Sequence, residues 1–229
     1  MSQINNQITV VIAAGGHGSR FGSEIPKQFA LLDGKPVMMH TLEAFYRFDS
    51  KALLIVSLHS DSIDYWKELL QKYNGCPEHI VVEGGKTRFH SIKNALAHCP
   101  DEGLVLIHDA VRPLISSEVI SRVTEMAHQK GNAIPVMPVI DSVRLLDGEN
   151  SSVLDRRKVV KVQTPQGFRA NIIKEAYQQE YQAEYTDDAS VVEATGKKIF
   201  LVDGSENNIK ITVGMDLMLA EAILMASKK

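Results

Sequence analysis

The sequence predicts an α/β fold: a mainly parallel, twisted sheet flanked by helices, with a β-hairpin arm inserted into it. Short apolar, β-rich runs recur at Ile8–Ala13, Ala52–Leu58, Ile80–Val82, Leu104–His108, Ala133–Val139, Val159–Val162 and Ile199–Val202. Amphipathic stretches of helical period lie between them, and that alternation marks βαβ units and a parallel sheet. The arm is predicted by a break in this rhythm between Asp141 and Val162.

The early strands, ITVVIA at Ile8–Ala13 first among them, are nearly continuous apolar runs, as suits strands covered on both faces. In Asp61–Lys72, Ile63, Trp66 and Leu70 fall at i, i+3 and i+7, with Asp61 and Asp64 early and Lys67 and Lys72 late, which suits the helix dipole. Val119, Val123 and Met126 mark another helical stripe that Gly131 can end, and Leu217, Ala220 and Leu224 mark a last one. In the break, two β-prone runs flank the turn-rich segment Asp147–Ser152, which reads as a hairpin. A lone hairpin is marginal in water, so this one is expected to pack on something: a second subunit, or its own domain. No linker or repeat divides the chain, and residues 1–229 read as one domain with 141–162 as its arm.

At 229 residues the chain can bury roughly 70–75% of its unfolded surface and needs no disulfide or metal staple. Lys and Arg total 25 against 28 Asp and Glu, a net charge of −3 without blocks of like charge. That disfavours nucleic acid as an obligate partner but leaves room for a local cation cluster that holds a small anion. Cys76 and Cys99 form no CxxC and read as reduced thiols of a cytoplasmic protein. The one apolar run near the N-terminus is too short for a signal peptide's layout or a membrane span.

The chemistry gathers after the first strand, in Ala13-Ala14-Gly15-Gly16-His17-Gly18-Ser19-Arg20-Phe21-Gly22. Glycines let backbone approach a ligand closely, and successive N–H groups can cradle an anion. The loop is neither a Walker A sequence nor a GxGxxG motif. Alone it is a structural turn as readily as a phosphate site. With the fixed fork of Arg20 and the mobile point charge of Lys27 beside it, a triphosphate site becomes the better reading. Gly84-Gly85 and Asp109 also follow predicted strands and would converge with the loop at the carboxyl edge of the sheet.

The stretch AGGHGSRFGSEIPKQ, Ala14 to Gln28, resembles the signature of the sugar- and polyol-phosphate nucleotidyltransferases, and its PKQ ending resembles their cytidylyltransferase branch. His108-Asp109-Ala110-Val111-Arg112-Pro113, Thr164-Pro165-Gln166, Thr186-Asp187-Asp188-Ala189-Ser190 and Asn208-Ile209-Lys210-Ile211-Thr212 follow in order. Together, over roughly residues 8–225, they resemble the 2-C-methyl-D-erythritol 4-phosphate cytidylyltransferase family of the non-mevalonate isoprenoid pathway. The resemblance implies a Rossmann-like sheet of nucleotidyltransferase type and transfer of CMP from CTP to a polyol phosphate, with pyrophosphate released.

It also implies residue roles. Ala14, Gly15, Gly16 and Gly18 would wrap the triphosphate. Arg20 and Lys27 would hold the phosphates and stabilise the transition state, with Lys210 reaching the α-phosphate. Gly84, Gly85 and Ser91 would lie against cytosine and ribose, and Arg88 would help shape that pocket. Asp109 would bind Mg2+, a hard cation suited to carboxylate oxygen. Arg112, Ser142 and Arg156, with Thr164 and Thr186, would form the acceptor-binding set. The arm would cross a homodimer, so that Ser142 and Arg156 serve the neighbour's site. His108 reads as a positioned strand-end residue rather than a base. Ser142 stands where threonine is usual in the family, and Phe21 where methionine is common. Lys86 stands where many relatives carry an acidic residue, and it is left out of the site. The nearest rival is ribitol 5-phosphate cytidylyltransferase. A non-catalytic nucleotide-binding module is a rival of a different class, and a nicotinamide dehydrogenase is disfavoured because GxGxxG is absent.

Overall fold

The computed structural model describes residues 7–15 and 25–227. β1 (Ile8–Ala14) comes first; a 3-10 turn at Lys27–Phe29 and a small ladder of β2 (Leu31–Leu32) with β3 (Lys35–Pro36) precede α1 (Val37–Phe48). The alternation continues through β4 (Leu53–Leu58), α2 (Ser60–Lys72), β5 (Ile80–Glu83), α3 (Arg88–Leu96), β6 (Leu104–Asp109), α4 (Ser117–Lys130) and β7 (Asn132–Pro138). The arm is β8 (Val143–Asp147) with β9 (Asn150–Leu154). The chain then forms β10 (Val160–Val162), β11 (Gln166–Arg169), α5 (Ala170–Ala176), α6 (Asp188–Glu193), β12 (Leu201–Asp203) and α7 (Gly214–Ser227).

Each strand and helix predicted from periodicity is present, its ends moved by a residue or two. β5, β4, β1 and β6 lie side by side and parallel. Beyond β6 comes a strand absent from the sequence reading: β11 runs antiparallel to both β6 and β7. β7 also pairs antiparallel with β10 and parallel with β12.

The sheet has a hydrophobic layer on each face because side chains alternate along a strand. Ile8, Val10, Ile12 and Ala14 of β1 join Leu54, Val56 and Leu58 of β4 and Leu104 and Leu106 of β6 in one cluster, with residues of α1, α2 and α4. Val11, Ile55, Val105 and Ile107 face the other way, into Phe89 and Ile92 of α3 and Ile173 of α5. Gly131 ends α4 in the left-handed region at φ 95°, as its place after the apolar stripe predicted.

The hairpin is tighter than predicted. Ser151 and Ser152, read as turn, pair with Leu146 and Leu145, so only Gly148 and Glu149 separate the strands. The reason is the pairing of Asp147 with Asn150 around a positive-φ glycine, a two-residue connection that matches strand twist. Val160–Val162 is not the hairpin's second strand but a member of the main sheet. The arm leaves Leu146 77% and Val153 79% exposed. No helix among the described residues is long and apolar enough to cross a membrane.

Candidate active site

The chain leaves β1 for β4 on one side and returns to β6 on the other. The carboxyl ends of β1 and β6 therefore flank a point where the winding reverses, the usual place for a ligand in an open α/β sheet. Ala13 and Asp109 are register partners there. A cavity of about 330 Å³ opens at this edge, lined by Ala13–Gly15, Lys27 and Gln28, by Gly85–Arg88 and Ser91, and by Asp109–Val111 with Lys210 and His59.

Local structure explains the closeness of these walls. The buried Gln28 donates from Nε2 to the Ala14 carbonyl at 3.1 Å, fixing the end of β1. Thr87 caps α3 by accepting from the His90 N–H, so the helix starts at the cavity wall. The Ser91 hydroxyl accepts from the Gly85 N–H at 3.0 Å. A Cβ at Gly85 would lie 2.4 Å from the His90 Cβ, so only glycine lets the loop lie this close to the helix. Gly84 sits behind the wall, its N–H donating to the Leu58 carbonyl at 2.6 Å.

Asp109, 8% exposed, is the electrostatic centre. Its Oδ2 accepts from Arg112 Nε at 3.1 Å and meets Lys210 Nζ at 3.0 Å. Burial would raise its pKa, but Lys210, Arg88 and Arg112 outweigh burial and hold the carboxylate ionised, well below the usual range. Beneath it, the Asp109 N–H donates to the Thr164 hydroxyl at 3.1 Å, and that hydroxyl lies 3.0 Å from His108 Nδ1. His108 Nε2 lies 3.1 Å from the Arg112 carbonyl. A carbonyl can only accept, so Nε2 carries the proton and Nδ1 accepts from Thr164. Burial lowers the His108 pKa to about 4, which keeps the ring neutral. His108 thus sits at the end of β6 in the hydrogen-bonded support of Asp109.

Of the predicted site residues, Ala14, Gly15, Lys27, Gly85, Arg88, Ser91, Asp109 and Lys210 come together around the cavity. Gly16, Gly18 and Arg20 lie outside the described residues. Arg112 is turned inward, its Nη1 donating to the Asn208 carbonyl at 2.8 Å. Thr164 is buried in the support of Asp109 rather than on the wall. Thr186 is exposed, one residue before the capping Asp187. Ser142 and Arg156 are exposed at the two ends of the arm, with Arg156 donating to the Ile140 carbonyl, and neither lines this chain's cavity. Lys86, left out of the site by sequence, lines the cavity because it sits in the loop between Gly85 and the α3 cap. Gln28 was missed as a site residue, although it directly follows Lys27.

The chain matches the family model "2-C-methyl-D-erythritol 4-phosphate cytidylyltransferase" over residues 8–226. It is 49% identical over 215 residues to a protein of that name from Phocaeicola vulgatus, covering 94% of this chain and 98% of that one. It is 48% identical to the one from Bacteroides fragilis, covering 94% and 99%. Among solved structures, the 2-C-methyl-D-erythritol 4-phosphate cytidylyltransferase of Thermus thermophilus superposes with a TM-score of 0.75 at 32% identity, covering 95% of this chain and 98% of that one. The 4-diphosphocytidyl-2C-methyl-D-erythritol synthase of Anaerococcus prevotii gives 0.80 at 28%, covering 96% and 99%. Fold and relatives define a nucleotidyltransferase. Within that class the chain belongs to the 2-C-methyl-D-erythritol 4-phosphate cytidylyltransferase family.

Proposed function

We infer that this chain transfers CMP from CTP to 2-C-methyl-D-erythritol 4-phosphate, giving 4-diphosphocytidyl-2-C-methyl-D-erythritol and pyrophosphate in non-mevalonate isoprenoid biosynthesis. The observation that carries the reading is the meeting of Lys27, Arg88, Lys210 and Asp109 around one cavity at the winding reversal of the sheet, in a chain that matches this family almost end to end.

An oxygen of the acceptor phosphate attacks the α-phosphorus of CTP; the bond from that phosphorus to the bridging oxygen breaks, and pyrophosphate leaves. Two polyanions must approach each other. Two like unit charges 4 Å apart repel by roughly 4 kcal/mol at an effective dielectric of 20. Lys27 and Lys210 offset that repulsion and stabilise the charge that gathers on the leaving oxygen. Gly15 and Gly85 allow backbone close to the nucleotide, and Ser91 helps fix the loop that faces it.

A divalent ion suits this site. No group of three or more His, Cys, Asp or Glu among the described residues could hold one alone. Mg2+ commonly takes one or two carboxylates and completes its shell with water and substrate phosphates. Asp109, ionised at the cavity wall, fits that role, and Mg2+ bound there would add positive charge beside the phosphates.

The arm supports a homodimer in which Ser142 and Arg156 of one subunit bind the acceptor in the other's site. Its exposed Leu145, Leu146 and Val153 call for a partner surface. The activity is tested by incubating the protein with CTP, Mg2+ and either 2-C-methyl-D-erythritol 4-phosphate or ribitol 5-phosphate, and measuring pyrophosphate. Release with the first acceptor is expected. Release with ribitol 5-phosphate alone would replace this reading by its nearest rival.

A further inference from the structure

The cavity wall at Arg88 is held from behind by a carboxyl group outside the cavity lining. Arg88 Nη1 donates to Asp188 Oδ1 at 2.9 Å and Nη2 to Oδ2 at 2.5 Å. Asp188 is 0% exposed, and its Oδ1 also accepts from the buried Tyr177 hydroxyl at 2.6 Å. The residue opens α6, and that helix start is itself anchored. Gln166 donates from Nε2 to Asp187 Oδ2 at 2.7 Å, and its Oε1 accepts from the Ala189 N–H at 2.8 Å. Gln166 pairs with Ile107, two residues before Asp109 in β6. A continuous set of contacts thus runs from the strand that carries Asp109, through β11 and α6, to the Arg88 guanidinium at the cavity.

Burying an ion pair is a poor way to gain stability, because desolvation offsets most of the attraction and an apolar pair of the same shape often does as well. What a bidentate carboxylate does supply is a fixed plane and place for the guanidinium. Arg88 is also one of the cations whose charge favours the Asp109 carboxylate, so its placement matters to both walls of the cavity.

We propose that Asp188, braced by Tyr177, is a positioning residue of the transfer reaction: it fixes the Arg88 guanidinium on the cavity wall for the nucleotide. The inference rests on the reading of the cavity as a CTP site and adds to it the second set of groups on which CTP affinity depends.

The test is CTP binding by calorimetry without acceptor, together with steady-state kinetics, on wild type, Asp188→Asn, Tyr177→Phe, Arg88→Met and the Asp188→Asn/Arg88→Met double variant. Asp188→Asn is expected to weaken CTP binding and raise KM for CTP on the order of 10–100-fold, with kcat within about threefold. Tyr177→Phe should move both in the same direction by a smaller factor. The two substitutions in the double variant should be strongly non-additive, since Asp188 acts only through Arg88. CTP affinity within about twofold of wild type in folded Asp188→Asn overturns the proposal, as does additivity in the double variant. If Asp188→Asn fails to fold, unchanged CTP affinity in Tyr177→Phe overturns it. Wild type that binds no CTP would instead sink the site reading itself.

Discussion

Single residues carry the most direct tests. Lys27 lines the cavity beside Gln28, and its charge is proposed to act on the transferring phosphoryl group. Lys27→Ala should lower kcat on the order of 10²–10³-fold, about 3–4 kcal/mol of transition-state stabilisation. A turnover within threefold of wild type, measured as pyrophosphate release, would remove Lys27 from that role. A second residue-level prediction concerns acid. Trp66, the sole tryptophan and fully buried, donates from Nε1 to His79 Nε2 at 2.9 Å. His79 Nδ1 lies 2.7 Å from the Pro77 carbonyl, so the ring is neutral with its proton on Nδ1. Burial lowers the His79 pKa below 6.5, outweighing the Pro77 bond. The folded state therefore binds fewer protons than the unfolded chain. The contribution is present above about pH 6.5 and is lost as pH falls below it. Urea midpoints read by Trp66 fluorescence should fall between about pH 7 and pH 5 by more in wild type than in His79→Gln, which keeps an acceptor but does not titrate. Equal slopes would show that His79 does not titrate with unfolding. At this scale the sequence was legible where function is local. Gly15, Lys27, Asp109 and Lys210 each sit in a short motif and each reaches the cavity. The grip of Asp188 on Arg88, across 100 residues, was not legible, because only the fold brings the two together.

At the scale of elements, hydrophobic period found the strands that lie in continuous apolar runs and missed β11. Its sequence, Gln166-Gly167-Phe168-Arg169, has one large apolar residue and shows neither alternation nor a run. Gly167 is the reason it fits. A Cβ there would lie 2.6 Å from Val123 Cγ1 and 3.0 Å from Leu106 Cδ2. The glycine lets α4 pack down on the sheet. Gly167→Ala should therefore cost about 1–3 kcal/mol through overpacking, read as a lower denaturation midpoint at unchanged m-value. A neutral outcome would mean that α4 has room to shift. The hairpin's short turn was likewise hidden, because serines suit turns and strand edges alike and only the register of Asp147 with Asn150 decides.

At the scale of the molecule, the arm pairs with itself and shows apolar side chains to solvent. If two chains embrace through it, Leu146→Asp with Val153→Asp should turn a dimer into a monomer in sedimentation velocity. CTP binding should survive while the acceptor KM rises at least tenfold. A variant that remains dimeric would deny the arm this role. A mixture of Lys27→Ala and Arg156→Ala chains should regain part of the activity that each lacks. No recovery, with mixed dimers shown to form, would argue against exchange of arms.

The pairing of Pro138 with Val160 has a consequence for how such a protein changes over time. The excursion departs from one strand and rejoins its immediate neighbour, so its two roots stand a single inter-strand spacing apart, about 4.8 Å. Whatever lies between those roots can lengthen, shrink or be exchanged without moving the strands that carry Ala13 and Asp109. If the arm binds the acceptor as proposed, selection for a new acceptor can work on the appendage while the nucleotide-handling framework stays as it is, and one framework can be refitted by grafting.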